Sequence, residues 1–80
     1  MIAPTVKSLL ATEKLKRTDA AIALGITAQA MSNKYNRDSF TASDLVKIAA
    51  AAGYNLCFVR KSDGLLITFP TPGTDKQKDN

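Results

Sequence analysis

The stretch "TDAAIALGITAQAMSNKYNR", Thr18 to Arg37, decides how this chain is read. Its first part is short and apolar on one side, through Ala21 and Leu24, and it ends on Gly25. A glycine just past a helix supplies the left-handed backbone that other residues adopt only with strain. Thr27 then offers a hydroxyl as the N-cap of a second helix. In that helix Met31 and Tyr35, four residues apart, form an inward side. The rest of the second segment is polar, an unusual surface for a helix in so small a protein.

The flanks build outward from this pair. In "TVKSLLATEKL" the spacing of Val6, Leu9, Leu10 and Leu15 predicts an amphipathic helix over about 5–14, with Thr5 as N-cap. The central pair occupies about 17–24 and 28–36. "FTASDLVKIAAAAG" predicts a helix over about 42–52. Thr41 followed by Asp44 makes a capping box, and Phe40 ahead of it serves as a staple onto Leu45. Leu45, Ile48, Ala49 and Ala52 form the buried stripe, and Gly53 ends the helix. The pattern then changes. "NLCFVRKSDGLLITFP" holds two β-branched and aromatic runs around Ser62, Asp63 and Gly64, which predicts a β-hairpin over about 55–69. A three-residue loop places Leu56, Phe58, Leu66 and Thr68 on one face and Cys57, Val59, Ile67 and Phe69 on the other. A lone hairpin is marginal in water. One apolar on both faces needs a partner, and a second copy of the chain is the simplest one. Leu56, Phe58, Leu66 and Thr68 are the expected dimer interface. Residues 1–69 thus read as one domain, and the polar, proline-bearing residues 70–80 as a disordered tail.

Eighty residues hold one core. The formal net charge is +4, and its placement is uneven. Residues 1–37 carry six bases (Lys7, Lys14, Lys16, Arg17, Lys34, Arg37) against Glu13 and Asp19, so the whole excess lies there. Residues 38–80 carry five of each sign. This asymmetry points to an anionic partner for the opening stretch. A single cysteine, Cys57, allows no intrachain disulfide and suits a reducing cytosol. With no histidine, a four-ligand zinc site is excluded by count. No cofactor or metal is expected. No signal peptide and no membrane span is read in the chain.

A short helix, a glycine turn and a second helix with a polar outer face match the helix-turn-helix reader of DNA. The first helix must approach the second closely, so a small residue is needed at their crossing, and Ala21 supplies it. The second helix enters the major groove, its N-terminal residues nearest the base edges. Here the sequence resembles the small Cro/C1-type helix-turn-helix regulators of bacteria and phages, the XRE-like group. The resemblance runs through "TDAAIALGITAQAMSNKYNRDSFTASDLVKIAAAAGYNLCF" and covers about residues 5–60. Two positions depart from the family. Ala20 stands where a larger aliphatic residue is usual, and Lys34 where an apolar one is common, Tyr35 taking the core role. The resemblance implies a mostly α, four-helix lambda-repressor-like DNA-binding domain followed by the hairpin. It implies that Ala28, Gln29, Ser32 and Asn33 contact bases. It implies that Arg17, Thr18, Thr27, Lys34, Asn36 and Arg37 contact phosphates. Gln29 and Asn33 carry amides able to pair bidentately with adenine. Lys7 and Lys47 read as solvated surface.

The expected function is therefore a sequence-specific transcriptional regulator, a repressor in the bacterial cytosol. It would bind double-stranded DNA as a homodimer, since one monomer reads too few base pairs. The alternative is a protein-binding module on the same fold, an antitoxin or a phage inhibitor of a host defence. An enzyme is the poorest reading. The chain has no histidine, no phosphate-cradling glycine loop and no carboxylate pair near a pocket. Cys57 lies mid-strand with no base beside it, which suits a small core residue better than a nucleophile.

Overall fold

The structure is a computed structural model and describes residues 1–70. Apart from Pro70, the tail expected over 70–80 lies outside the described residues. The chain is mostly helical: α1 (Ala3–Thr12), α2 (Arg17–Leu24), α3 (Ala28–Arg37) and α4 (Ala42–Ala52). A two-stranded antiparallel sheet follows, β1 (Cys57–Val59) with β2 (Leu66–Thr68). Among the described residues no helix is long and apolar enough to cross a membrane.

All four helices stop in the same way. Lys14, Gly25, Asp38 and Gly53 each take a left-handed φ, between 54° and 83°. In each case the next amide reaches back over the last turn: Leu15 to Leu10, Ile26 to Ala21, Ser39 to Lys34 and Tyr54 to Ala49. These bonds satisfy carbonyls that the helix end would otherwise leave free. Leu15 and Ile26, turned inward by the motif, pack against the core. Three helix starts use local caps. The Ala30 amide donates to the Thr27 hydroxyl at 3.1 Å. Thr41 and Asp44 exchange two bonds of 3.0 Å, the expected capping box. At α2 the Asp19 carboxylate accepts from the Lys16 amide at 2.8 Å.

The fourth start corrects the sequence reading. α1 begins at Ala3, not Thr5, and Thr5 lies inside its first turn. Pro4 explains the earlier start, because its fixed φ suits the first turn and its missing N–H would have had no partner there. The cap comes from the far side of the molecule. The Asp38 carboxylate accepts from the amides of Ile2 (2.9 Å) and Ala3 (2.6 Å).

The helices enclose one core. Val6 and Leu10 of α1, Ala20 and Ala21 of α2, Met31 of α3 and Ile48 of α4 are buried, with Phe40 beside them. Met31 is 0% exposed. The two adjacent alanines of α2 let it lie close to both α3 and α4. A larger aliphatic residue at Ala20, which is 1% exposed, would have to push one of them away.

The hairpin corrects a second expectation. Cys57 pairs with Thr68, Phe58 with Ile67 and Val59 with Leu66. The loop holds four residues, Lys61 to Gly64, rather than three. It is closed by the Arg60 amide donating to Leu65 and the Gly64 amide to Arg60. Asp63 braces it, accepting from the Leu65 amide and from the Arg60 guanidinium through two bonds of 2.9 and 2.7 Å. One extra loop residue slips the register by one, which reverses one strand's faces relative to the other. Leu56 and Phe58 therefore share a face with Ile67 and Phe69, not with Leu66 and Thr68. The Phe58 and Phe69 rings lie 5.3 Å apart.

The α1 cap gives a pH-dependent prediction. The Ala3 amide, then the Ile2 amide and the N-terminal charge, hold the Asp38 carboxyl below the usual range despite some loss of hydration. A carboxyl whose folded pKa is depressed stabilises above its unfolded value and loses that contribution as pH falls through the folded value. Asp38→Ala is expected to lower Tm at pH 7 and to flatten its dependence on pH below about 4. Asp38→Asn tolerates the left-handed backbone and keeps one acceptor, so it should lower Tm less but flatten the profile equally. Thermal melts of the three proteins from neutral to acid pH test this.

Candidate nucleic-acid interface

α3 is held from behind and leaves a polar ridge in front. With Met31 buried at its centre, the helical repeat turns Gln29, Asn33 and Asn36 to the opposite side. All three are exposed. The Gln29 amide nitrogen lies 3.4 Å from the Asn33 amide oxygen, so the two side chains stand next to each other along the ridge. Ala28 is exposed at the start of the helix and Ser32 is half-buried on its flank. Thr27 is exposed, but its hydroxyl already caps the helix.

The cations have different surroundings. Arg17 and Thr18 are exposed at the start of α2, and Arg37 is exposed at the end of α3. The Arg17 guanidinium sits 5.9 Å from the centre of the Tyr35 ring, and the Lys7 ammonium 5.3 Å from the same centre. Two cations on one ring face its negative π cloud. Burial pushes the Tyr35 hydroxyl pKa up, with Arg17 pulling the other way. Among the described residues neither Lys7, Arg17 nor Arg37 has an acidic partner. Lys7, read from sequence as plain surface, therefore belongs to this basic cluster. Its position became visible only when α1 and α3 were packed together, since nothing local marks it.

Lys34 is engaged differently. It is half-buried and its ammonium lies 2.8 Å from the Asp44 carboxylate of α4. Burial opposes ionisation of Asp44, but the Lys34 hydrogen bond, the Thr41 amide and the Lys34 charge together hold its carboxyl below the usual range. Lys34 thus fastens α3 to the start of α4. In the expected phosphate-contacting role it would have to share its charge with Asp44. Of the expected interface residues, Ala28, Gln29, Ser32 and Asn33 lie on the outer side or flanks of one helix, with Asn36 and Arg37 on the same helix and Arg17 and Thr18 at the start of the neighbouring one. The expected dimer residues divide: Leu56 and Phe58 on one hairpin face, Leu66 and Thr68 on the other.

Compared with family models, with curated proteins and with solved structures, the chain gives no match.

Lys34→Met tests the fastening. It leaves Asp44 half-buried without its partner and should destabilise the fold by about 1 kcal/mol at pH 7, the upper range for ion pairs that water still reaches. The difference from the parent protein should shrink as the pH falls below the usual carboxylate range and Asp44 takes up a proton. Urea unfolding at the two pH values measures it.

Proposed function

We propose that the chain is a DNA-binding regulator of the Cro/C1 type. α2 and α3 act as its helix-turn-helix, within a four-helix lambda-repressor-like domain. One observation carries the reading. An exposed ridge of amides, Gln29, Asn33 and Asn36, stands on a helix fixed from behind by fully buried Met31, flanked by arginines that have no acidic partner among the described residues. Amides read adenine through its N6 and N7 atoms, and free arginines hold phosphates. Ala28 and Ser32 widen the base-reading surface. Arg17, Thr18 and Arg37 set the register, with Thr27 and Asn36 beside them and Lys34 in part. Two copies related by a two-fold axis would read half-sites about 34 Å apart. Occupancy of a promoter would then block transcription. The exposed hairpin also supports the second reading, a module that docks on a protein of another kind, such as a toxin or a host-defence component.

Fluorescence anisotropy with DNA from upstream of the protein's own gene, against scrambled DNA over a salt series, tests the proposal. Selective binding with a steep salt slope is expected. Equal, weak binding to both DNAs would remove the regulator reading and leave the protein-docking one. Gln29→Ala should cost about 1–3 kcal/mol on the preferred site and little on scrambled DNA. Arg37→Ala should weaken binding to both alike and reduce the salt slope by about 1.

A further inference from the structure

Two apolar surfaces have no partner among the described residues. The first is the hairpin: Phe58, Val59, Leu65, Leu66 and Ile67 are each 50–66% exposed, on both faces. The second is a largely apolar groove of about 690 Å³ between α1 and α4, walled by Ile2, Leu9, Leu45, Ile48, Tyr54 and Leu56. Tyr54 fixes one end of it, its hydroxyl donating to Glu13 at 2.8 Å. The surfaces are continuous. Leu56 lines the groove and also begins the hairpin face that runs through Phe58, Ile67 and Phe69.

We infer that the groove receives the hairpin of a second copy of this chain, in a reciprocal exchange about a two-fold axis. The inference rests on the dimer in the proposed function and names the surface that makes it. Area favours this arrangement. The five exposed side chains together offer on the order of 500 Å² per protomer, scaled from the area large side chains bury. Pairing hairpin to hairpin over one face would cover only about half of that from each copy, short of the roughly 1,000 Å² in total that a specific interface needs. It would also leave both grooves open to water. Seating each hairpin in the opposite groove covers strand face and helix wall together, twice over, because a two-fold interface repeats every contact. The continuity at Leu56 explains how. The hairpin starts from the groove wall at Leu56 and its large side chains beyond that residue are exposed, so in the inferred exchange they are the ones offered to a two-fold neighbour.

Ser8 gives a test that leaves the hairpin untouched. It lines the groove, is exposed on α1 and makes no side-chain hydrogen bond among the described residues. Glutamate suits a helix, so Ser8→Glu should keep the parent's helical circular dichroism while placing a charge where the apolar hairpin must sit. Sedimentation equilibrium on the full chain is expected to show a dimer. Ser8→Glu should weaken that dimer about tenfold or more, as for a charge placed in the centre of an interface. In a Cys57→Ser background, mixing a Phe58→Cys chain with a Ser8→Cys chain should yield a mixed disulfide on mild oxidation. A dimer indifferent to Ser8→Glu, with disulfides only between two Phe58→Cys chains, would overturn groove docking and leave the two-fold dimer standing. A monomer throughout the micromolar range would overturn the dimer and the docking together.

Discussion

The Asp38 carboxylate sets the frame of this molecule. Its residue ends α3 in a left-handed conformation, and its side chain begins α1 by taking the amides of Ile2 and Ala3. One residue thus closes two helix ends that lie 35 positions apart in the chain. The α1 N-terminus, with its unpaired amides and positive dipole end, meets a carboxylate there, the group it favours most. Because α1 supplies Val6 and Leu10 to the core, the same contact aligns those residues with Met31.

A second carboxylate completes the work on α3. Asp44 caps α4 and holds the Lys34 ammonium, so the C-terminal half of α3 is tied to α1 at one point and to α4 at another. Two ties and a fully buried methionine leave α3 little freedom to roll about its axis. The direction of its polar ridge is a consequence. The base-reading role proposed for the ridge would require such rigidity, because an amide displaced by an ångström no longer meets both atoms of a base edge. Lys7 and Arg17 gather over Tyr35 for the same reason: the ties bring α1, the start of α2 and the end of α3 to one place.

The hairpin stands outside this frame. Its strands pair with each other, but most of its large side chains stay in contact with water. The helices satisfy their own core without it, and the groove between α1 and α4 remains open beside it. Among the described residues the fold therefore carries one polar face whose cations have no acidic partner and one apolar face without cover. These are separate surfaces, although α1 contributes Lys7 to one and Leu9 to the other, and each is suited to a different kind of partner.

Much of this was legible in the residues alone. Gly25 and Gly53 marked helix ends, Thr27 and the Thr41–Asp44 pair marked starts, and Met31 with Tyr35 marked the inner side of α3. These signals are local: a cap, a left-handed turn and a helical repeat each act over four or five residues, so a linear reading reaches them. The start of α1 was misplaced because its cap comes from Asp38, far along the chain, which no local pattern announces. The hairpin faces were exchanged because one loop residue decides register, and the Arg60–Asp63 clasp that adds it depends on the turn's geometry. Lys34 is expected from the family resemblance at a phosphate, and the structure pairs it with Asp44 across a helix boundary. Lys7 read as surface and proved to share a ring with Arg17. Sequence by itself determined the order, the type and most of the limits of the elements, because those rest on short-range backbone chemistry. Only the tertiary structure decided which charges are free and which are spent on the fold, because that depends on groups that meet only when the helices pack.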